Sequence, residues 1–223
     1  MGAVLDLFNV LHEPTAVFGR LKEKPRWFLV TLAVIVLLML NFLLLKPFVI
    51  AAFQGMFASM PPEQLARAPK PDTQWLIQLL STPIFGFVIV FAGAGLLWVA
   101  TAVSGTEGKY KVLLSVFAHA NITFVLYSIV TTLVLMTRGV GEVSTMADLR
   151  PALGLDLLAP NAGKFLGAFL NGINPFSLWG VWLTGTGVSV THGTSRGTGI
   201  TAATIAFLIG LAILSAFAMF QPG

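Results

Sequence analysis

Five long apolar blocks alternate with polar stretches along the chain. They comprise residues 27–45, 82–103, 112–136, 175–191 and 199–220, and none of them contains Asp, Glu, Lys or Arg. A helix rises about 1.5 Å per residue, so about 20 apolar residues cross the hydrocarbon core of a bilayer. Lipid cannot hydrogen-bond backbone amides, which predicts that each block is helical. The expected fold class is therefore an all-α integral membrane protein, a bundle of five transmembrane helices.

Composition agrees with this class. Hydrophobic residues make up 56% of the 223 residues and charged residues only 10%, whereas a soluble domain carries about 25% charged residues. The loops that remain are too short for a separate soluble domain, so we expect a cytoplasmic lead-in (1–26) followed by a membrane domain (27–221). The chain has no cysteine, which excludes disulfides, thiolate metal sites and cysteine nucleophiles.

The orientation follows from a basic cluster just before the first block. Its members are Arg20, Lys22, Lys24 and Arg26. The positive-inside rule places this cluster in the cytoplasm, beside lipid headgroups, and five spans then place the C-terminus outside. The inner loops become 104–111 and 192–198, and the outer loops 46–81 and 137–164. A cluster at the end of a span is a topology signal, so nucleic acid is not an expected partner.

The lead-in has its own periodicity. Val4, Leu7, Phe8 and Leu11 recur at helical spacing, and Pro14 suits the first position of a second short helix. The pattern predicts an amphipathic segment that lies on the cytoplasmic leaflet. The alternative is a lead-in packed beneath the bundle.

Prolines interrupt the pattern in two places. The outer loop 46–81 contains Pro61, Pro62, Pro69 and Pro71, which predict a stiff, irregular stretch around a short helical piece at 63–67. Before the fourth block, Asn171 and Asn174 precede Pro175. This break is either a broken helix that lines a substrate site or an interfacial helix followed by a turn and a new span. The absence of intramembrane carboxylates favours the second arrangement.

Few polar or small residues interrupt the blocks. The polar residues, together with the asparagines of the break, either line an intramembrane cavity or form interhelical hydrogen bonds. These residues are Asn41, His119, Asn121, Tyr127, Asn171 and Asn174. The glycines expected to let helices approach closely are Gly86, Gly93, Gly95, Gly180 and Gly187.

No motif predicts enzyme chemistry. The three histidines are far apart in sequence, no carboxylates cluster, and no phosphate-binding loop is present. The residues 193–197 match G-x-S-x-G, but no acid or histidine follows them, as the nucleophile elbow would require. We therefore expect a non-enzymatic protein with no cofactor, no metal and no bound nucleotide.

Three stretches carry a resemblance to a known family. They are His-Glu-Pro at 12–14 with Lys-Pro-Arg-Trp at 24–27, the segment 105–120 ending in Ser-Val-Phe-Ala-His-Ala, and Asn-Pro-Phe-Ser-Leu-Trp-Gly-Val-Trp at 174–182. On these residues and on span order, the chain resembles the Yip domain family, the Rab-interacting membrane proteins of eukaryotic endomembranes and their shorter bacterial relatives. The resemblance covers nearly the whole chain and implies five spans with a cytosolic N-terminus. The long tail and the acidic and Tyr-Gly motifs of eukaryotic members are missing, so it implies a bacterial, inner-membrane member.

Two functional hypotheses result. The first is a scaffold or accessory subunit that binds another membrane protein; the family resemblance implies ABC-type (MacB-like) exporter subunits as one such partner. The second is a carrier of small molecules or lipids with a polar cavity around His119 and Asn174. The uncharged spans favour the first hypothesis, because coupled transport generally needs an intramembrane acid, base or ion site.

Overall fold

The computed structural model describes residues 2–220, of which 77% are helical and none lies in a strand. The helices are α1 (Ala3–Asn9), α2 (Pro14–Glu23), α3 (Phe28–Leu44), α4 (Lys46–Ala58), α5 (Pro62–Leu65), α6 (Pro71–Val103), α7 (Tyr110–Ala120), α8 (Ile122–Arg138), α9 (Lys164–Gly172), α10 (Pro175–His192) and α11 (Arg196–Ala218). Short 3-10 helices lie at Val140–Glu142 and Leu155–Leu158. The all-α prediction is confirmed. Gln221, the last residue of the predicted membrane domain, lies outside the described residues.

Three helical stretches among the described residues are long and apolar enough to cross a membrane. The first is α6, the second is formed by α7 and α8 together (Tyr110–Arg138), and the third is α11. A fourth qualifies only if α3 and α4, which are bent by 64° at their junction, count as one span. By this measure the candidate spans number three or four, not the five expected. The predicted fourth span, α10, falls short because Thr, Ser and Gly alternate with its apolar residues.

The long helices contact one another in a closed order. α3 packs on α6 and α8, α6 packs on α11, α11 packs on α10, and α10 packs on α8. α7 contacts α3, α6 and α10 from within this set. The consecutive residues Leu183–Val188 of α10 are all buried. Because other helices surround this stretch, it does not need the apolarity that a lipid-facing helix requires.

The loop between α3 and α6 is more regular than the sequence predicted. Pro47 opens α4, which buries Phe48, Val49, Ala52 and Phe53, so only residues 59–70, around the short α5, are irregular. The sequence prediction counted prolines as breakers. Here Pro47, Pro62 and Pro71 lie in first turns, where the missing N–H has no intrahelical partner to lose.

The N-terminal helices pack into the bundle. Leu7, Val10, Val17, Phe18 and Leu21 are all 0% exposed. They share one apolar cluster with residues of α3, α6, α7, α8 and α10. The prediction of a segment lying on the leaflet is therefore not confirmed. Of the four residues of the predicted apolar face in the first helix, Leu7 and Leu11 pack against protein side chains, whereas Val4 and Phe8 remain exposed.

The break before α10 is a helix–turn–helix junction. Asn174 caps α10 by accepting hydrogen bonds from the backbone N–H groups of Phe176 and Ser177, at 3.1 and 3.0 Å. The Ser177 hydroxyl in turn accepts from the Asn174 N–H at 3.0 Å, which completes a capping box. The two helices and the turn between them agree with the second arrangement considered in the sequence analysis, while the position of α9 relative to a membrane stays a prediction.

Candidate functional site

Three of the predicted polar residues lie together at the α9–α10 junction, in a junction amide cluster of Tyr127, Asp156, Asn171 and Asn174. Asn171 accepts from the Tyr127 hydroxyl at 3.1 Å and donates to Asp156 Oδ2 at 2.9 Å. It also donates to the carbonyl oxygen of Pro151 at 3.2 Å, and Asn174 donates to the carbonyl oxygen of Asn171 at 3.1 Å. The cluster fastens the loop after α8 to α8, α9 and the start of α10.

Sequence reasoning missed Asp156. Its other carboxylate oxygen accepts from the Gly154 N–H at 3.0 Å. The sequence could have indicated it, because Asp156 is a lone carboxylate among Leu155, Leu157 and Leu158. A charge in an apolar run needs a polar partner nearby.

The other three predicted polar residues do not join this cluster. Asn41 of α3 donates to the Ser128 hydroxyl of α8 at 2.7 Å and so links two helices. Asn121 donates to the Phe117 carbonyl oxygen at 2.9 Å, a local bond at the α7–α8 break. His119 is fully buried, and its Nδ1 lies 2.7 Å from the Ser115 carbonyl oxygen, while its Nε2 has no hydrogen-bond partner in the structure.

The two residues proposed to line a transport cavity are thus engaged separately. His119 bonds within α7, whereas Asn174 bonds across the α9–α10 junction. They share no hydrogen-bond partner in the described structure. This arrangement does not favour a single polar cavity around both.

Arg20 differs from its neighbours in the basic cluster. Its guanidinium donates to the carboxylate of Asp6 on α1 at 2.5 Å, and the Asp6 side chain is only 1% exposed. Lys22 and Lys24 are exposed, as is Arg26, which has further interactions of its own. Asp6 had no role in the sequence predictions, although it is the only acidic residue in the first helix.

A histidine joins the two predicted inner loops. The backbone N–H of Lys109 donates to Nε2 of His192 at 3.1 Å, and Nδ1 lies 2.8 Å from the Thr191 hydroxyl. A backbone N–H can only donate, so this contact requires the neutral ring. Burial, together with the positive charges of Lys109 and Lys22, lowers the pKa of His192.

Four of the five predicted packing glycines are used within the chain. A side chain at any of them would collide with a neighbouring helix, and the contacts pair Gly86 with Ile35, Gly93 with Phe117, Gly180 with Thr123 and Gly187 with Val116. Gly95 is different, because the space beside its Cα is open.

Gly185 of α10 and Gly199 of α11 face each other across a close helix crossing. A Cβ at Gly199 would overlap the backbone carbonyl oxygen of Gly185, and a Cβ at Gly185 would lie 2.6 Å from the Cα of Ile200. α10 and α11 therefore meet backbone to backbone, in the manner of small-residue crossings in membranes. Gly199 was not among the predicted packing residues.

The described residues contain no group of three His, Asp or Glu side chains that could hold a metal ion. The polar groups they do bring together, in the junction amide cluster and in the His192 contact, are suited to fastening segments.

Long apolar helices, small-residue crossings and interhelical hydrogen bonds define a polytopic helical membrane protein. The Yip1 domain family matches residues 8–217, and the chain belongs to this family. No curated protein and no solved structure matches the chain. The resemblance seen in the sequence is thus confirmed at the level of the family.

Proposed function

We propose that the chain is a non-enzymatic subunit that works bound to another membrane protein, and that it crosses the membrane five times with its N-terminus in the cytoplasm. The closed contact order of α3, α6, α11, α10 and α7–α8 supports five crossings, with α10 as a protein-surrounded span. The exposed lysines before α3 support a cytoplasmic N-terminus.

The outward face of α6 carries the partner proposal. Ile84, Val88, Ala92, Gly95 and Val99 follow one another at intervals of three or four residues, and all but the partly exposed Gly95 are exposed. Residues at that spacing share one side of a helix. The other predicted packing glycines are already covered by this chain, so Gly95 is the one among them that another helix can approach.

Substitution of Gly95 by a larger residue tests the proposal. Gly95→Leu should remove a co-purifying membrane protein in mild detergent, because helix association in lipid depends on close packing. Ala216→Leu, which adds bulk to the partly exposed Ala216 of α11, is the matched control and should keep the partner. An ABC-type exporter subunit is the partner class implied by the family resemblance, and mass spectrometry of the captured protein would identify it.

Cross-linking separates the outcomes. A photoreactive residue at position 95 should capture a partner in native membranes, while one at Ile209, exposed on α11, should not. Recovery of the uncross-linked monomer alone, with no co-purifying protein, would refute the subunit proposal.

A further inference from the structure

A small cavity lies between the start of α2, the half of α10 nearest His192 and the first residue of α11. Its volume is about 180 Å³, room for a phosphate group and a few attached atoms but not for a whole phospholipid. Its polar lining comes from Thr15, Thr186, Ser189 and Arg196. The apolar lining includes Trp182.

The cavity has an uncompensated positive charge. The guanidinium of Arg196 lies over the Trp182 ring, 5.5 Å from its centroid. Among the described residues, no Asp or Glu forms an ion pair with Arg196. Its fork of N–H donors is therefore available to a ligand with several oxygen acceptors, and a phosphate fits that geometry.

A second group in the cavity also lacks a partner. Thr186 is 6% exposed, and its hydroxyl has no hydrogen bond within the described structure. A buried hydroxyl without a partner is unfavourable, and a ligand oxygen in the cavity would supply the missing bond. By contrast, the Ser189 hydroxyl already donates to the Thr194 carbonyl oxygen at 2.8 Å.

The backbone adds to the positive potential. Arg196 is the first residue of the 23-residue α11, whose N-cap Ser195 accepts from the Thr198 N–H at 3.0 Å. The start of a long helix favours an anion. The isolated guanidinium and the unpaired Thr186 hydroxyl are observations independent of this helix end.

The surroundings favour a lipid as the source of the phosphate. Trp182 lies one helical turn from Leu178 on α10, and Leu178 is 55% exposed. An acyl chain can therefore extend from the cavity along Trp182 and Leu178, where an apolar strip faces the membrane. Free phosphate would make no use of that strip.

The geometry points to a binding site for the phosphate group of an anionic phospholipid, formed by Arg196, Thr186 and Trp182. The guanidinium and the Thr186 hydroxyl hold the phosphate oxygens, and Trp182 contacts the start of an acyl chain. The site is separate from the outward face of α6, so it does not depend on the proposed partner.

Native mass spectrometry of the purified full-length chain tests the site, with phosphatidylglycerol, phosphatidylcholine and inorganic phosphate as probes. The wild type should retain one phosphatidylglycerol in preference to phosphatidylcholine. Arg196→Gln should weaken this binding about tenfold, and Thr186→Val, which keeps the side-chain shape, about threefold. Lys70→Gln removes an exposed charge outside the cavity and outside the basic cluster, so it should leave the binding unchanged.

Arg196→Lys keeps the charge but loses the fork, so it should bind with intermediate affinity, and it decides the question if Arg196→Gln fails to fold. Equal retention of phosphatidylglycerol by the wild type and the Arg196 variants would overturn the site. Displacement of the lipid by millimolar inorganic phosphate, or equal retention of phosphatidylcholine, would overturn the assignment to an anionic lipid.

Discussion

The carboxylate of Asp6 is almost completely buried, and it accepts a hydrogen bond from Arg20, fourteen residues further along the chain. The pair joins α1 to α2 and places one charge of the basic cluster against the protein. Arg20, a member of the predicted topology signal, thus also takes part in packing the lead-in.

Loss of this pair should destabilise the protein. Asp6→Asn leaves the guanidinium without its counter-charge, and we expect a loss of about 1–3 kcal/mol in the free energy of unfolding. The expected loss is less than for a fully buried pair because the Arg20 side chain is 41% exposed. Thermal or denaturant unfolding in detergent measures it.

The ion pair between Lys46 and Asp72 is the matched control. The Asp72 side chain is 71% exposed, so Asp72→Asn should cost less than about 1 kcal/mol. Equal losses in the two variants would mean that burial of Asp6 does not determine the strength of its pair.

The junction amide cluster should hold the loop after α8 in place. Asn171→Ala removes the side-chain bonds to Tyr127, Pro151 and Asp156, and we expect a loss of about 2–3 kcal/mol. Tyr127→Phe removes only one of these bonds and should cost about 1 kcal/mol. Hydrogen exchange should rise across residues 150–174 in the first variant.

Asn121→Ala, which removes a bond within one helical turn, is the control for the cluster. It should leave exchange in residues 150–174 unchanged. If Asn171→Ala exchanges like the wild type there, the hydrogen bonds do not fasten the loop.

The crossing of α10 and α11 should tolerate no side chain. Gly199→Ala pushes a methyl group into the Gly185 carbonyl oxygen, and because a Cβ has no rotamers and the oxygen belongs to the backbone, no side-chain rotation relieves the overlap. We expect a loss of about 1–3 kcal/mol from overpacking. Gly95→Ala, in open space, should be near neutral in the same unfolding assay.

Acid should loosen the contact between the inner loops. The pKa of His192 is lowered in the fold, so the neutral form is favoured there, and its stabilising contribution is complete above the ordinary pKa of about 6.5. That contribution is lost as the pH falls through 6.5 toward the lower folded value, because a proton on Nε2 displaces the Lys109 N–H. The melting temperature of the wild type should therefore fall between pH 7.5 and 5.5.

His192→Gln provides the comparison for this pH effect. It has no titrating ring, so its melting temperature should fall less over the same range, and the difference isolates His192 from the other two histidines. Parallel curves for the two proteins would show that the contact is not pH-sensitive.

The proposed orientation makes a direct prediction. An alkaline phosphatase fused to the C-terminus should be active, and a green fluorescent protein fused there should be dark, because five crossings place that end outside. Removal of the exposed charges of Lys22 and Lys24 should produce a mixed orientation. The reverse pattern in the wild type would overturn the proposal.

The helices of the fold were predictable, but their surroundings were only partly so. Apolar blocks without charges mark α3, α6, α7, α8 and α11, because a lipid-facing helix must exclude charge. The same composition does not distinguish lipid from protein as the neighbour. For this reason the periodicity of the lead-in predicted a segment on the leaflet, whereas the structure buries Leu7, Val17 and Phe18 against other helices.

The residues of the candidate site were also only partly predictable from the sequence. Tyr127 and Asn171 were identifiable because a polar group in an apolar segment needs a partner. The hydrogen bond between these two side chains could not be predicted, because it depends on where the loop after α8 returns to the bundle. Gly199 was not predicted as a packing residue. It is the first residue of its apolar block, and its importance depends on the residue opposite it, Gly185, which the sequence does not reveal.

The contact between Phe18 and Gly187 links the beginning of the chain to nearly its end. A ribosome makes α2 early and α10 late, so this contact cannot form until almost all of the protein has been synthesised and inserted. Until then, the apolar face of α2 has no α10 to cover it. The nascent chain should therefore be most vulnerable to cytoplasmic proteases and most dependent on chaperones during this interval, and truncations that lack α10 should be degraded rapidly.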